Sequence, residues 1–198
     1  MALTQIQSGM IADASVTTAQ LTDSSITTAK LASNSVTSDK LQSGTILQVV
    51  QTRTLLSSST SSTSYVPITS LVTTITPSKI NSKFYVQMDL SLGTYTWNTN
   101  GYYIGCNVSW SGGSQNNILG DGGGTWIFQY GADTGNSQYE TLQVNDSTIV
   151  QPNTLNTLTF TPTFAAINAS YPLYLNRSYG NYYGDQGSSR LTVMEIAG

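Results

Sequence analysis

The chain has 198 residues, the length of one large domain or two small ones. It carries seven Lys+Arg, ten Asp+Glu, one cysteine and no histidine, for a net charge of −3. That inventory excludes Ser-His-Asp and Cys-His triads, His-ligated metal sites and, within one chain, a Cys-based zinc site or a disulfide.

In chain order, the first stretch, MALTQIQSGM, has no basic region and no apolar core of signal-peptide length. No later stretch approaches the ~20 apolar residues of a membrane span. The expectation is a protein made in the cytoplasm, with no membrane insertion, that leaves the cell by lysis.

A repeat follows, with a period of ten residues. Ile6, Val16, Ile26, Val36 and Ile46 occupy one position, and Ile11, Leu21, Leu31 and Leu41 the position five later. The unit reads S-[IV]-T-[TS]-x-[QK]-L, followed by three or four small polar residues. Ten is neither a coiled-coil heptad nor a strand alternation. The β-branched residue suits an extended piece, and the following threonine is placed to cap one helical turn. Short extended and single-turn pieces should therefore alternate.

Each copy supplies only two apolar side chains. Ordering each residue costs roughly 1–2 kcal/mol of backbone entropy, so one chain cannot build a core from them. Three chains around an axis would place six apolar side chains in each ten-residue layer. The polar content also suits a disordered arm. The strict alternation favours an ordered trimeric stalk over residues 1–44, with those nine residues on its axis.

Residues 45–198 predict an all-β head. All 19 aromatic residues lie from Tyr65 onward. Phe84, Val86, Met88, Leu90 and Leu92 alternate with Tyr85, Gln87, Asp89 and Ser91, the pattern of a half-buried strand. Ile104, Cys106, Val108 and Trp110 continue a second such run from Tyr102. Leu158, Phe160 and Phe164 make a third, broken by Pro162. Further strands are expected over 45–56, 64–76, 125–130, 140–150, 171–177 and 190–196, about nine in all, with SSSTSST at 57–63 as an exposed loop. Gly- and Asn-rich turns between them imply a β-sandwich of jelly-roll type.

Candidate chemistry is sparse. Asp121, Asp133, Asp146 and Asp185 sit in turn contexts, where Asp bonds its own backbone. Asp89 lies on an outward strand face, and Glu140 and Glu195 complete the carboxylates of the head. No pair has the setting of a general acid and base, so no enzymatic activity is expected. D-G-G-G at 121 lacks the alternating acidic ligands of calcium loops. No metal or other cofactor is expected. Cys106 lies on the apolar face of a strand and predicts a buried, inert thiol. Five basic residues beyond residue 45 cannot neutralise many phosphates, so nucleic acid is not an expected partner.

The tyrosines are more informative. Tyr179, Tyr182 and Tyr183 fall in SYGNYYGDQG, and Tyr95, Trp97, Tyr102 and Tyr103 flank a second Gly/Asn turn. Rigid amphipathic rings among Gly, Asn and Ser are recognition chemistry, suited to a glycan or a protein surface. Packing between subunits is the other reading, since Tyr is enriched there too.

The repeat running directly into ILQVVQT (46–52), then SYVPITSLVTTITP (64–77), SKFYVQMDL (82–90) and the terminal LTVMEIAG (191–198), resembles virion fibre and knob proteins of tailed bacteriophages, notably those of cyanobacteria and marine bacteria. The resemblance covers essentially the whole chain. It implies a homotrimer with jelly-roll-like heads on short triple-stranded stalks, at the virion surface. It also implies other virion proteins of tail or capsid as partners through the stalk, and a host-surface glycan or protein through the head. A capsid cement or decoration protein has the same design and is the alternative role.

Overall fold

The computed structural model describes residues 11–13, 15–33, 35–94, 102–111, 125–129, 141–166, 168–180 and 187–198; of residues 102, 103 and 125–129 the backbone alone is described. The chain divides into two compact units, Met1–Leu41 and Gln42–Gly198.

In the first unit every described copy of the repeat has one local structure. A single 3₁₀ turn spans Thr18–Gln20, Thr28–Lys30 and Ser38–Lys40, and the residue on each side is extended. The N–H groups of Gln20, Lys30 and Lys40 donate to the carbonyls of Thr17, Thr27 and Thr37 at 3.1, 2.9 and 2.9 Å. Extended and single-turn pieces thus alternate as the spacing suggests. The expected threonine cap is not general: Thr17 and Gln20 form a capping box in the first copy, but the side chains of Thr27 and Thr37 make no cap bond. The donor they would serve is already bonded, because so short a turn closes through its own backbone. In the first copy's capping box Gln20 Oε1 accepts from the N–H of Thr17 at 2.6 Å.

A second turn fills the polar gap between copies. Ser25 and Thr45 donate to the carbonyls of Thr22 and Gln42. The third residue of these turns has positive φ, +61° at Ser24 and +89° at Gly44. That is the signature of a type II turn, and glycine adopts it without strain.

Among the described residues the second unit has eleven strands, all described pairings being antiparallel. They are β1 (Ile46–Thr54), β2 (Ser58–Thr60), β3 (Val66–Pro67), β4 (Thr73–Ile75), β5 (Lys83–Thr94), β6 (Tyr102–Ser111), β7 (Thr125–Gln129), β8 (Leu142–Val150), β9 (Leu158–Ala165), β10 (Leu173–Leu175) and β11 (Ser189–Ile196). One sheet runs β1-β11-β5-β10-β2, with β8 on the other side of β5. The other runs β3-β9-β6-β7, with β4 also on β9.

One hydrophobic core lies between them. The inward residues of β5 (Phe84, Val86, Met88, Leu90, Leu92) join Leu191 and Val193 of β11. The second sheet contributes Ile104, Cys106, Val108 and Trp110 of β6 and Leu158, Phe160 and Phe164 of β9. Phe160 bridges the sheets, its ring 6.5 Å from Phe84 and stacked at 5.9 Å on Trp110. Burying each such side chain contributes about 1.5–3 kcal/mol.

Two expectations need correction. The stretch 57–63 is not wholly an exposed loop: β2 lies within it, pairs with β10, and buries Thr60. The stretch 64–76 is not one strand: a 3₁₀ turn at Thr69–Leu71 separates β3 from β4 and sinks Leu71 into the core. The same interruption explains why Pro162 does not break β9. The N–H and C=O of a strand residue point the same way. The Pro162 carbonyl accepts from Ile68 at 2.7 Å, on the side where β3 and β4 leave a gap. The missing donor therefore falls where no strand needs it.

Candidate functional site

The repeat residues are exposed in the single chain. Val16, Ile26 and Val36 are 53, 53 and 54 % exposed, and Leu21 and Leu31 43 and 46 %. The near-equal values copy to copy show one repeating geometry. Ile11 and Ile46 are exposed as well, and Leu41 is half-buried. Ile6 lies outside the described residues.

Of the expected recognition residues, Tyr95, Trp97, Tyr182 and Tyr183 lie outside the described residues. Tyr102 and Tyr103 begin β6, where their backbones pair with Gln129 and Phe128 of β7. Tyr179 is half-buried, and its ring meets that of Tyr174 edge-on, centroids 5.7 Å apart. The Arg177 guanidinium lies over the face of Tyr174 at 4.1 Å. Two half-exposed tyrosines and a cation thus form one cluster. Stacked this way, the guanidinium offers its edge to an acceptor. The tyrosine rings add apolar faces with hydroxyl tips, a pairing suited to sugars or protein loops.

Local backbone chemistry builds the cluster. Asn176 has a φ of +58°, a region asparagine tolerates better than most residues. This turns the chain out of β10 and over β5. Segment 177–178 passes so close to Gly93 that a Cβ there would lie 2.2 Å from the Arg177 carbonyl oxygen. Asn176 itself is buried and fully bonded. Its Nδ2 donates to the carbonyls of Thr54 and Leu56 at 3.1 and 3.0 Å, and Ser189 Oγ donates to its Oδ1 at 2.6 Å. Its backbone carbonyl accepts from Gly187 at 2.9 Å, joining the end of β10 to the start of the β11 segment. Thr94, the last residue of β5, pairs with Leu173 of β10.

Replacing Asn176 with alanine should remove three side-chain bonds and strain the positive φ. We expect a loss of about 2–3 kcal/mol in denaturant unfolding. Retention of wild-type stability would show that this junction is held otherwise.

Three other titratable groups among the described residues have structural settings. Burial pushes the Cys106 thiol up to about 12, far from a reactive thiolate. Asp89 is bonded by Asn145 and lies 3.7 Å from Arg190 across β5 and β11. Glu195 is fully buried and is the one acidic or basic side chain among the buried residues described. Sequence reasoning assigned it no role, although it shares the inward parity of Leu191 and Val193, which marks it as unusual. Among the described residues, no three His, Cys, Asp or Glu side chains converge as metal ligands, and no helix is long and apolar enough to cross a membrane.

No family model matches the chain, and no curated protein matches its sequence.

Proposed function

We propose that this chain is a structural protein of a bacteriophage virion, a trimeric short fibre or knob that attaches the particle to its host surface. One observation carries the reading. A ten-residue repeat of identical turns leaves its apolar side chains half-exposed and leads into an all-β head. A lone chain has no use for such a repeat, whereas three copies can bury it. On this reading the head has jelly-roll character, and the stalk binds other virion proteins. The cluster of Tyr174, Arg177 and Tyr179, with the Tyr- and Asn-rich stretches near 95–103 and 179–186, meets a host glycan or protein. No catalysis and no cofactor enter the role.

A labelled micrograph of purified particles tests the placement, and adsorption tests the role. Label at a tail or fibre tip is expected. The double variant Tyr174→Ala/Tyr179→Ala should slow adsorption about tenfold or more, the loss of about 1.4 kcal/mol per site. Unchanged adsorption would overturn host recognition. Label on the capsid, with particles lacking the protein losing DNA on heating, would assign the cement role instead.

A further inference from the structure

In an antiparallel sheet with one buried face, the outward positions should be polar. The sheet holding β1, β11, β5 and β8 follows this rule along most of its outer face. One row there is Gln51, Thr192, Gln87 and Ser147, directly opposite one another. The next is Arg53, Arg190, Asp89 and Asn145.

At the other end the rule fails on all four strands at once. Val49 lies opposite Met194, Met194 opposite Tyr85, and Tyr85 opposite Ile149. Ile46 and Ile196 pair in the adjoining row. Val49, Ile149 and Ile46 are 54, 58 and 55 % exposed, while Met194, Tyr85 and Ile196 are half-buried. Single exposed apolar residues are ordinary, but a contiguous row across four strands marks a contact surface.

We propose that this apolar end of the sheet packs against the head of a second copy of the chain, an inference that rests on the trimeric reading above. Two arguments choose that occupant. The first is continuity along the sequence: Ile46, ten residues after Val36, is both the last member of the repeat and a member of the patch. The residue pattern that calls for partner chains runs into the patch without a break.

The second argument is size. A stable interface between free proteins takes about 20–30 residues a side. Six residues cannot hold a free partner. They can hold one already tethered nearby, because a tether raises its effective concentration to about the millimolar range. Heads brought together by their stalks meet that condition. Three such patches around one axis bury apolar against apolar and leave the polar rows at the rim.

The test uses the full-length chain with a single introduced thiol, since Cys106 is buried and stays unlabelled. Ile149→Cys and Val49→Cys report on the patch. Leu155→Cys is the control, because Leu155 is 54 % exposed and belongs to none of the four strands. In a sample whose light-scattering mass is trimeric, maleimide should label both patch thiols at least tenfold more slowly than the control. Labelling at the control rate in a trimer would overturn the patch contact and leave the trimeric stalk standing. A monomeric mass for the wild type would overturn both.

Discussion

Replacing Glu195 with alanine should lower the thermal midpoint of the head by about 10 °C. The carboxylate faces inward from β11 and joins segments far apart in sequence. It accepts from Ser82 Oγ at 2.5 Å, Gln48 Nε2 and the Ser78 N–H at 2.6 Å, Ser78 Oγ at 3.0 Å and the Lys79 N–H at 3.3 Å. It thereby fixes the turn between β4 and β5 and ties β1 to it. Alanine strands several of these donors, and the better-buried ones cost about 1–3 kcal/mol each when unbonded. Water reaching Ser78 and Lys79 softens the loss, leaving about 3–4 kcal/mol.

The same bonds give the head an acid limit. Burial alone would raise the Glu195 pKa, but the hydrogen bonds from Ser82, Gln48 and Ser78 outweigh it and hold the carboxyl below its ordinary value. A carboxylate lowered in this way contributes stability above its unfolded pKa of about 4.3, and that stability is lost as pH falls through the folded value. Glu195→Gln keeps the shape and cannot gain a proton. Its deficit relative to wild type, measured by denaturant unfolding, should be largest at neutral pH and shrink from about pH 4 downward. A deficit that does not change with pH would show that the charge contributes nothing.

Glu195 also marks how far the sequence was legible. Strand β5 is readable because Phe84 to Leu92 alternate strictly, and one buried face enforces that alternation locally. Strand β2 is not, because Ser58 and Ser59 have weak strand preference and form a strand only when β10 lies alongside. The partners of Glu195 at Ser78 and Ser82 are more than a hundred residues distant, so parity flags the residue but not its bonds. The Tyr174–Arg177–Tyr179 cluster depends on the backbone turn at Asn176, which the run YPLYLNR does not signal. The outer apolar row is a middle case. The pairs Val49-Val50 and Ile149-Val150 are apolar on both parities, which is readable. That the outward members fall in one row is a matter of register, which only pairing fixes.

The repeat makes the other large prediction, on assembly. Burying a half-exposed leucine or β-branched side chain contributes about 1 kcal/mol, and each stalk presents such residues from Ile11 to Leu41. No single one dominates, so trimming one to alanine should weaken a trimer only modestly. A charge acts differently. In the proposed trimer, Leu31→Asp would bring three carboxylates to one level of the axis, each costing several kcal/mol to desolvate and repelling the other two. The head patch is too small to hold free heads together, so on the trimeric reading the light-scattering mass should fall from about three times 21.2 kDa to the single-chain value. Ser33→Asp, two residues on at an exposed polar position, should leave the mass unchanged. Because every aromatic residue lies from Tyr65 onward, near-ultraviolet circular dichroism reports on the head alone. That spectrum should survive Leu31→Asp, separating lost assembly from lost folding. A Leu31→Asp chain that keeps the threefold mass would remove the repeat from the oligomer contact and, with it, the argument that the stalk needs partner chains.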